Sequence, residues 1–147
     1  MLKRTILAIG LFFLLSTQLV FAQELVEVKI YRDQLTELHA KVRAITPRIE
    51  QQVRKGAIDQ ATFDLRKEIF SLQKLSQGIS EEAQRANLKR QESWQDVSKD
   101  LILITQASEL LNFVLNALDS YVSTRDKIFL GIAKDSEKLQ ESIERLI

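Results

Sequence analysis

The sequence of 147 residues has no cysteine, so disulfide bonds cannot stabilise it and packing must hold the fold together. It has one proline, Pro47, and three of its four glycines, Gly56, Gly78 and Gly131, lie beyond the first 22 residues. Alternation of apolar and polar residues, the mark of a strand, is not sustained anywhere. We therefore predict an all-α protein of three to four long helices, either a helical bundle or elongated antiparallel coiled-coil hairpins.

Histidine and methionine each occur once, and this scarcity excludes several kinds of site. A catalytic triad needs a histidine with a carboxylate and a nucleophile. His39 stands between Glu37 and Lys41 on a charged segment, so we interpret it as a partly exposed surface residue. Haem needs axial His or Met ligands, and Met1 is the only methionine. A di-iron site needs Glu-x-x-His pairs, but Thr36 stands three residues before His39 where that motif has a glutamate. We expect no enzyme, no metal and no cofactor.

Residues 1–22 have the pattern of a secretory signal peptide. Two basic residues precede an apolar stretch, and the final Val-Phe-Ala offers the residues that signal peptidase accepts. We predict cleavage after Ala22, which leaves residues 23–147 as a single helical domain that is periplasmic or secreted. The alternative is an uncleaved anchor, since the stretch from Thr5 to Ala22 has 18 residues, near the lower limit for crossing a bilayer.

The charges of the mature chain nearly cancel, with 19 basic residues against 20 acidic ones once the leader's two basic residues are removed. No basic field is available for phosphate backbones, so we expect no nucleic-acid partner. In residues 101–118, 12 of 18 side chains are apolar, which makes a membrane span the rival interpretation of this segment. Glu109, Asn112 and Asn116 would each be costly at mid-depth, so we favour a helix covered on several sides by protein.

Three stretches place apolar residues at alternating spacings of three and four, the heptad pattern of helices that pack side by side. We call these stretches the seams. The side chains predicted to form the core are Leu35, Leu38, Val42 and Ile45 in the first seam, Leu65, Ile69 and Leu72 in the second, and Trp94, Val97, Leu101, Ile104, Leu111, Leu115 and Leu118 in the third.

The boundary between the first two helices is the best defined one. Gly56 can adopt the left-handed conformation that ends a helix, and Asp59 can cap the next helix through its carboxylate. Pro47 either kinks a continuous first helix or starts a new one capped by Thr46. Gly78 either lies inside the second helix or ends it.

A phase shift between the second and third seams predicts a break in the chain. Ser93-x-x-Asp96 fits a variant of the capping box there and would start the third helix. Ser123-x-x-Asp126 offers another cap, yet the third seam stays in phase beyond it. The last two helices are therefore either separate or one.

Two groups of residues carry a resemblance to a known family. The first comprises Ile30-Tyr31-Arg32, Leu35, Leu38, Gly56-Ala57-Ile58-Asp59, Leu65-Arg66 and Leu72, and the second comprises Leu101-Ile102-Leu103-Ile104, Ala107, Leu110-Leu111, Tyr121, Arg125 and Phe129-Leu130. Together they resemble the periplasmic helical N-terminal region of MscS-type mechanosensitive channels. Because no channel helices follow Ile147, the resemblance implies an envelope accessory module and not a pore.

We expect the protein to act by binding another envelope protein or a second copy of itself. The apolar side chains of the seams present more surface than a chain of 125 residues can bury by itself, and a partner would bury the remainder. Phe113 lies off the third seam and is the candidate partner contact. The alternatives are a ligand-sensing bundle that holds a small molecule in its apolar interior and a periplasmic chaperone-like protein.

Overall fold

The computed structural model describes the backbone of residues 2–147 and the side chains of residues 26–147. The chain divides into two compact units, Met1–Ile30 and Tyr31–Ile147. The predicted cleavage site after Ala22 lies outside the residues whose side chains are described. The helices are α1 (Leu2–Lys55), α2 (Gln60–Glu92), α3 (Lys99–Thr124) and α4 (Lys127–Glu144). The prediction of an all-α helical bundle is confirmed.

Within the unit Tyr31–Ile147, consecutive helices run antiparallel. Gln52 near the end of α1 donates to Thr62 at the start of α2 over 3.2 Å, and earlier in α1 Arg48 reaches Glu68 at 2.9 Å. Helices α2 and α3 are likewise antiparallel, and a 2.8 Å hydrogen bond from Gln73 to Asn116 joins them.

Helix α4 returns along α1 and closes the bundle. Lys134 Nζ lies 2.8 Å from a carboxylate oxygen of Glu50, and Arg43, two turns earlier in α1, contacts Glu137 and Glu141 further along α4. Helix α3 packs against both α2 and α4. Each helix therefore has two neighbours, and the apolar seams face the space between them.

The predicted turn between α1 and α2 is confirmed. Gly56 has a φ of +74° and Asp59 caps α2 by accepting a 3.1 Å hydrogen bond from the Thr62 amide. Pro47 and Gly78 lie inside α1 and α2, so the interpretation that either one interrupts a helix is wrong. Thr46 does not cap a new helix, because its hydroxyl donates instead to the carbonyl of Val42, one turn back.

The predicted core residues that lie within helices are buried. Burying one such side chain contributes about 1.5–3 kcal/mol. Ser76 and Ser108 are buried in the same seams, and the Ser76 hydroxyl donates to the Ser108 carbonyl, so α2 and α3 approach closely there. The buried predicted core residues are Leu35, Leu38, Val42 and Ile45 on α1, Leu65, Ile69 and Leu72 on α2, and Leu101, Ile104, Leu111, Leu115 and Leu118 on α3.

Two members of the third seam were assigned to the core wrongly. Trp94 is 98% exposed and Val97 is 37% exposed. Both lie in the loop between α2 and α3, because α2 ends at Glu92 and the cap of α3 is Ser98, five residues later than the sequence predicted. A heptad spacing places side chains on one face only where the backbone between them is helical.

Helices α3 and α4 are separate. Arg125 takes a left-handed conformation with φ 62° and ends α3, and Asp126 caps α4 by accepting from the amide of Ile128 at 2.9 Å. Among the described residues, α3 is the one helix long and apolar enough to cross a membrane. Half of that apolar window is buried inside the bundle, and the core helix of a folded domain has the same composition.

Candidate functional site: the loop between α2 and α3

The loop Ser93–Ser98, which we call the tip, is fixed in place by side chains of α2. Asn87 accepts a 2.9 Å bond from the Ser98 amide and donates a 3.3 Å bond to the Ser98 carbonyl. Arg90 donates through Nε to the carbonyl of Asp96 at 2.9 Å. Because these bonds satisfy loop backbone groups that helix ends leave free, the tip has a defined conformation.

Trp94 stands on the tip in a left-handed conformation, with φ 57°. For a residue with a side chain this conformation costs roughly 1–2 kcal/mol. The backbone is held there by the amide of Trp94, which donates to Gln91 at 3.1 Å, and by that of Gln95, which donates to Arg90 at 2.9 Å. The indole itself is almost wholly in solvent, so the fold positions this side chain without using it for packing.

Other exposed apolar side chains accompany Trp94. Leu88, on the last turns of α2, is 57% exposed, and Val97 follows Trp94 in the loop. The exposed charged side chains around them balance, with Lys89 and Lys99 against Glu92 and Asp96. An apolar centre with a ring of mixed charges resembles the core and rim of a protein–protein interface more than a surface for an anionic polymer.

A second exposed apolar surface runs along α3 and α4. Ile128, Ile132 and Leu139 are spaced by four and seven residues, so they share one face of α4, and each is exposed. The opposite edge of α4 binds α1 through Lys134 and Glu141, which places this face on the side of α3.

Phe113 is an exposed apolar side chain of α3. It is 52% exposed and projects from the outward face of that helix, whereas Asn116 and Asp119 on the neighbouring edge bind α2. The structure therefore gives two separated candidate contacts, the tip with Trp94 and the α3–α4 surface with Phe113.

The interpretation of His39 as a partly exposed surface residue is wrong, because the side chain is buried, with 3% of its surface exposed. Its Nδ1 lies 2.9 Å from Glu144 and its Nε2 lies 3.7 Å from Glu137, both on α4. The face of α1 beside Leu38, which the sequence leaves to solvent, is covered by α4. In residues 26–147 no three His, Asp or Glu side chains are grouped so that they could hold a metal ion.

Three surface grooves of the second unit have walls of charged and apolar side chains. One groove, of about 290 Å³, lies between α1 and the end of α4, with Arg32, Arg43 and Glu141 in its wall. Another, of about 270 Å³, lies between α1 and α2 beside Lys41 and Lys74. A third groove, of about 470 Å³, lies along α1 beside Pro47 and Arg54. All three grooves are open to solvent and have several charged side chains in their walls, whereas ligand pockets usually bury most of the ligand and have few charged groups.

Sequence reasoning missed the exposure of Trp94 although one signal for it was present. Ser93 and Ser98 are both suitable helix caps, and only the choice between them decides whether Trp94 belongs to a helix. Asp100 in the first turn of α3 favours Ser98, since a carboxylate there interacts favourably with the helix dipole.

No match to this chain was found among known protein families, characterised proteins or solved structures.

Proposed function

We propose that the protein is a non-enzymatic helical interaction module of the cell envelope that binds another protein through the tip. The observation that carries this proposal is Trp94, an almost fully exposed indole on a loop held in a strained conformation by specific hydrogen bonds. The left-handed backbone of Trp94 costs free energy, and its exposed ring adds no packing to the fold. A binding role explains why such a side chain stands there.

The size of the indole decides what the tip can contribute. A tryptophan buries about 150–250 Å² of surface, which at about 25 cal/mol per Å² corresponds to roughly 4–6 kcal/mol. A micromolar complex requires a binding free energy of about 8 kcal/mol, which remains after the entropic cost of association has been subtracted. Trp94 is therefore an anchor that needs Leu88, Val97 and the polar rim to complete the interface.

The shape of the tip indicates the kind of partner. Trp94 projects from a loop, so a partner must offer a concave pocket lined with apolar side chains. Tryptophan is enriched among the residues that dominate binding free energy, and these residues usually fill such pockets. The envelope location follows from the predicted leader, and an intact mass that begins at Gln23 would support it.

A photo-crosslinking amino acid at position 94 tests the proposal in the protein's own host. The matched control is the same amino acid at position 58, because Ile58 is 74% exposed and lies in the α1–α2 loop at the opposite end of the bundle. We expect a defined adduct from position 94 and none from position 58. Equal adducts from both positions, or none from position 94, would contradict a binding role for the tip.

Two alanine substitutions separate the tip from the α3–α4 surface. Trp94→Ala should abolish capture of the crosslinked partner and leave the helical content and melting temperature nearly unchanged. Phe113→Ala removes a half-exposed ring elsewhere and should keep most of the capture. If Phe113→Ala abolishes capture and Trp94→Ala does not, the α3–α4 surface is the interface and the tip is not.

A further inference from the structure

Helix α4 carries its large aliphatic side chains on the side that faces solvent. Within α4, all of whose residues the structure describes, the buried side chains are those of Ala133, which is small, and Gln140, which is polar. Ile128, Ile132 and Leu139 are exposed. A helix that packs only on its own bundle turns its aliphatic residues inwards. The outward face of α4 is therefore an apolar surface that the fold itself does not use.

The exposed side chains of α4 follow a heptad pattern of their own. We call them the outer seam, and its residues, at spacings of four, three, four, three and four, are Ile128, Ile132, Asp135, Leu139, Ser142 and Leu146. Leu146 follows the end of α4, and Arg145 before it keeps a right-handed helical conformation. Residues spaced in this way form one stripe that packs against a second helix in a coiled coil. In the part of the chain that the structure describes, no helix covers this stripe.

The outer seam is self-complementary when a second copy of the chain approaches it antiparallel. Its spacings read the same in both directions, and its centre lies at the level of residue 137, midway between its two ends. A two-fold axis at that level therefore pairs every residue of the seam with another residue of the seam. The layers, each formed twice, are Ile128 with Leu146 of the second copy, Ile132 with Ser142 of the second copy, and Asp135 with Leu139 of the second copy.

The charges at the centre of the outer seam match the same arrangement. Asp135 and Lys138 lie on either side of the centre, both side chains are more than three-quarters exposed, and within one chain they form an ion pair of 2.9 Å. The two-fold axis places Asp135 of each copy at the level of Lys138 of the other. In a parallel pair each of these residues would meet its own counterpart, carboxylate against carboxylate and ammonium against ammonium. Charge complementarity therefore selects the antiparallel pair.

Gly131 flanks the outer seam and supports a close approach of a second helix. It lies inside α4 and is exposed, and a Cβ atom added to it would meet nothing within 4 Å. Glycine is less favourable than alanine in the interior of a helix, and packing within this chain gives no reason for it. A position without a side chain beside the seam lets the backbone of another helix come near.

We infer that the outer seam is a dimerisation surface, on which α4 of a second copy packs antiparallel about a two-fold axis at the level of residue 137. The aliphatic side chains of the two seams bury one another, and the pairing of Asp135 with Lys138 of the second copy fixes the register. The contact is one helix on one helix, and a small interface of this kind is typical of weak association. The residues of the tip take no part in it, so this inference does not depend on the proposed binding role of Trp94.

Sedimentation of the purified protein over a range of concentrations tests the inference. We expect monomers at low concentration and dimers as the concentration rises. Leu139→Glu places a carboxylate opposite Asp135 of the second copy and should raise the dissociation constant of the dimer at least about tenfold. The matched control is Leu75→Glu, since Leu75 is 50% exposed against 55% for Leu139 and lies on α2, diagonally across the bundle from α4. The control should leave the dissociation constant unchanged. A protein that stays monomeric at every concentration, or equal losses in the two variants, would overturn the inference.

A charge exchange tests the antiparallel register with side chains that are too exposed to affect folding. Asp135→Lys alone and Lys138→Asp alone each bring like charges together in the dimer and should weaken it severalfold. The variant with both substitutions restores opposite charges and should recover most of the affinity. Single variants that dimerise like the unaltered protein, or a double variant as weak as the single ones, would contradict this register. Trp94→Ala should dimerise normally, and its loss of dimerisation would place the self-contact at the tip instead.

Discussion

In the part of the chain that the structure describes, two residues other than glycine adopt the left-handed conformation, and the two loops that contain them differ in what their side chains contact. Arg125, between α3 and α4, has φ 62°, and its guanidinium donates to the carbonyl of Gly56 at 2.8 Å, which ties this loop to the α1–α2 turn. Trp94, between α2 and α3, has φ 57° and leaves 98% of its surface to solvent. The backbone strain is similar at the two positions, but only one side chain contributes to the fold.

The two loops differ in whether the side chain of the left-handed residue stabilises the fold. At Arg125 the side-chain bond offsets a cost of roughly 1–2 kcal/mol, so the residue is explained by stability. At Trp94 the backbone conformation is accompanied by hydrogen bonds that end α2, from the Trp94 amide to Gln91 and from the Gln95 amide to Arg90, but the indole takes no part in them. Glycine would serve this backbone role better, so the presence of an exposed tryptophan is a reason to look for a function, which we propose is binding.

The largest expected effect contrasts Trp94 with Leu101, one heptad later in the predicted third seam. Leu101 is fully buried, so Leu101→Ala should lower the free energy of unfolding by about 2–5 kcal/mol. Trp94→Ala should change it by less than about 0.5 kcal/mol, although a larger side chain is removed. Chemical denaturation measures both, and a Trp94→Ala loss as large as that of Leu101→Ala would place the indole in the core.

A smaller effect is expected at the other strained loop. Arg125→Ala removes the bond to Gly56 and keeps the strain, so it should destabilise the protein by about 1 kcal/mol. Arg125→Gly is the matched control, because it removes the same bond and also relieves the strain, which should bring the net change close to zero. Equal losses in the two variants would show that the left-handed conformation carries no cost here.

The smallest effect has the opposite sign. Trp94→Gly should stabilise the protein by about 0.5–1 kcal/mol, since glycine adopts positive φ without the steric penalty of a side chain. Trp94→Ala provides the reference, as it removes the ring and keeps the strained backbone. Thermal denaturation of the two variants compares them directly. If Trp94→Gly is less stable than Trp94→Ala, the strain argument for the tip fails.

Much of the fold could be predicted from the sequence, because helix packing depends on local periodicity. Within continuous helices, heptad spacing identified the buried face, as in Leu35 to Ile45 and Leu101 to Leu118. Gly56 and Asp59 marked a turn because each has a specific conformational or capping role. Pro47 was ambiguous, since its penalty is local and the packing on both sides of it outweighs that penalty.

The rest could not be predicted because it depends on contacts between distant residues or on a choice between competing signals. His39 is buried against α4, where Glu144 lies 105 residues away in the chain. Trp94 is exposed because α3 begins after Ser98, and the sequence also offers Ser93 as a cap, with Asp100 as the one signal in favour of Ser98. The two hydrogen bonds between Asn87 and Ser98 hold Ser98 at the start of α3, and they form only when α2 and α3 pack together.

The measurement that tests the central claim most directly is the fluorescence of Trp94, which is the only tryptophan in the chain. In the purified protein, a neutral quencher such as acrylamide should reach the indole as easily as it reaches a free tryptophan derivative. After addition of the protein that crosslinks to position 94, quenching should fall and the emission should shift to the blue, as expected for an indole that enters an apolar pocket. An indole that is already shielded in the protein alone, or one whose quenching is unchanged by the partner, would contradict the account.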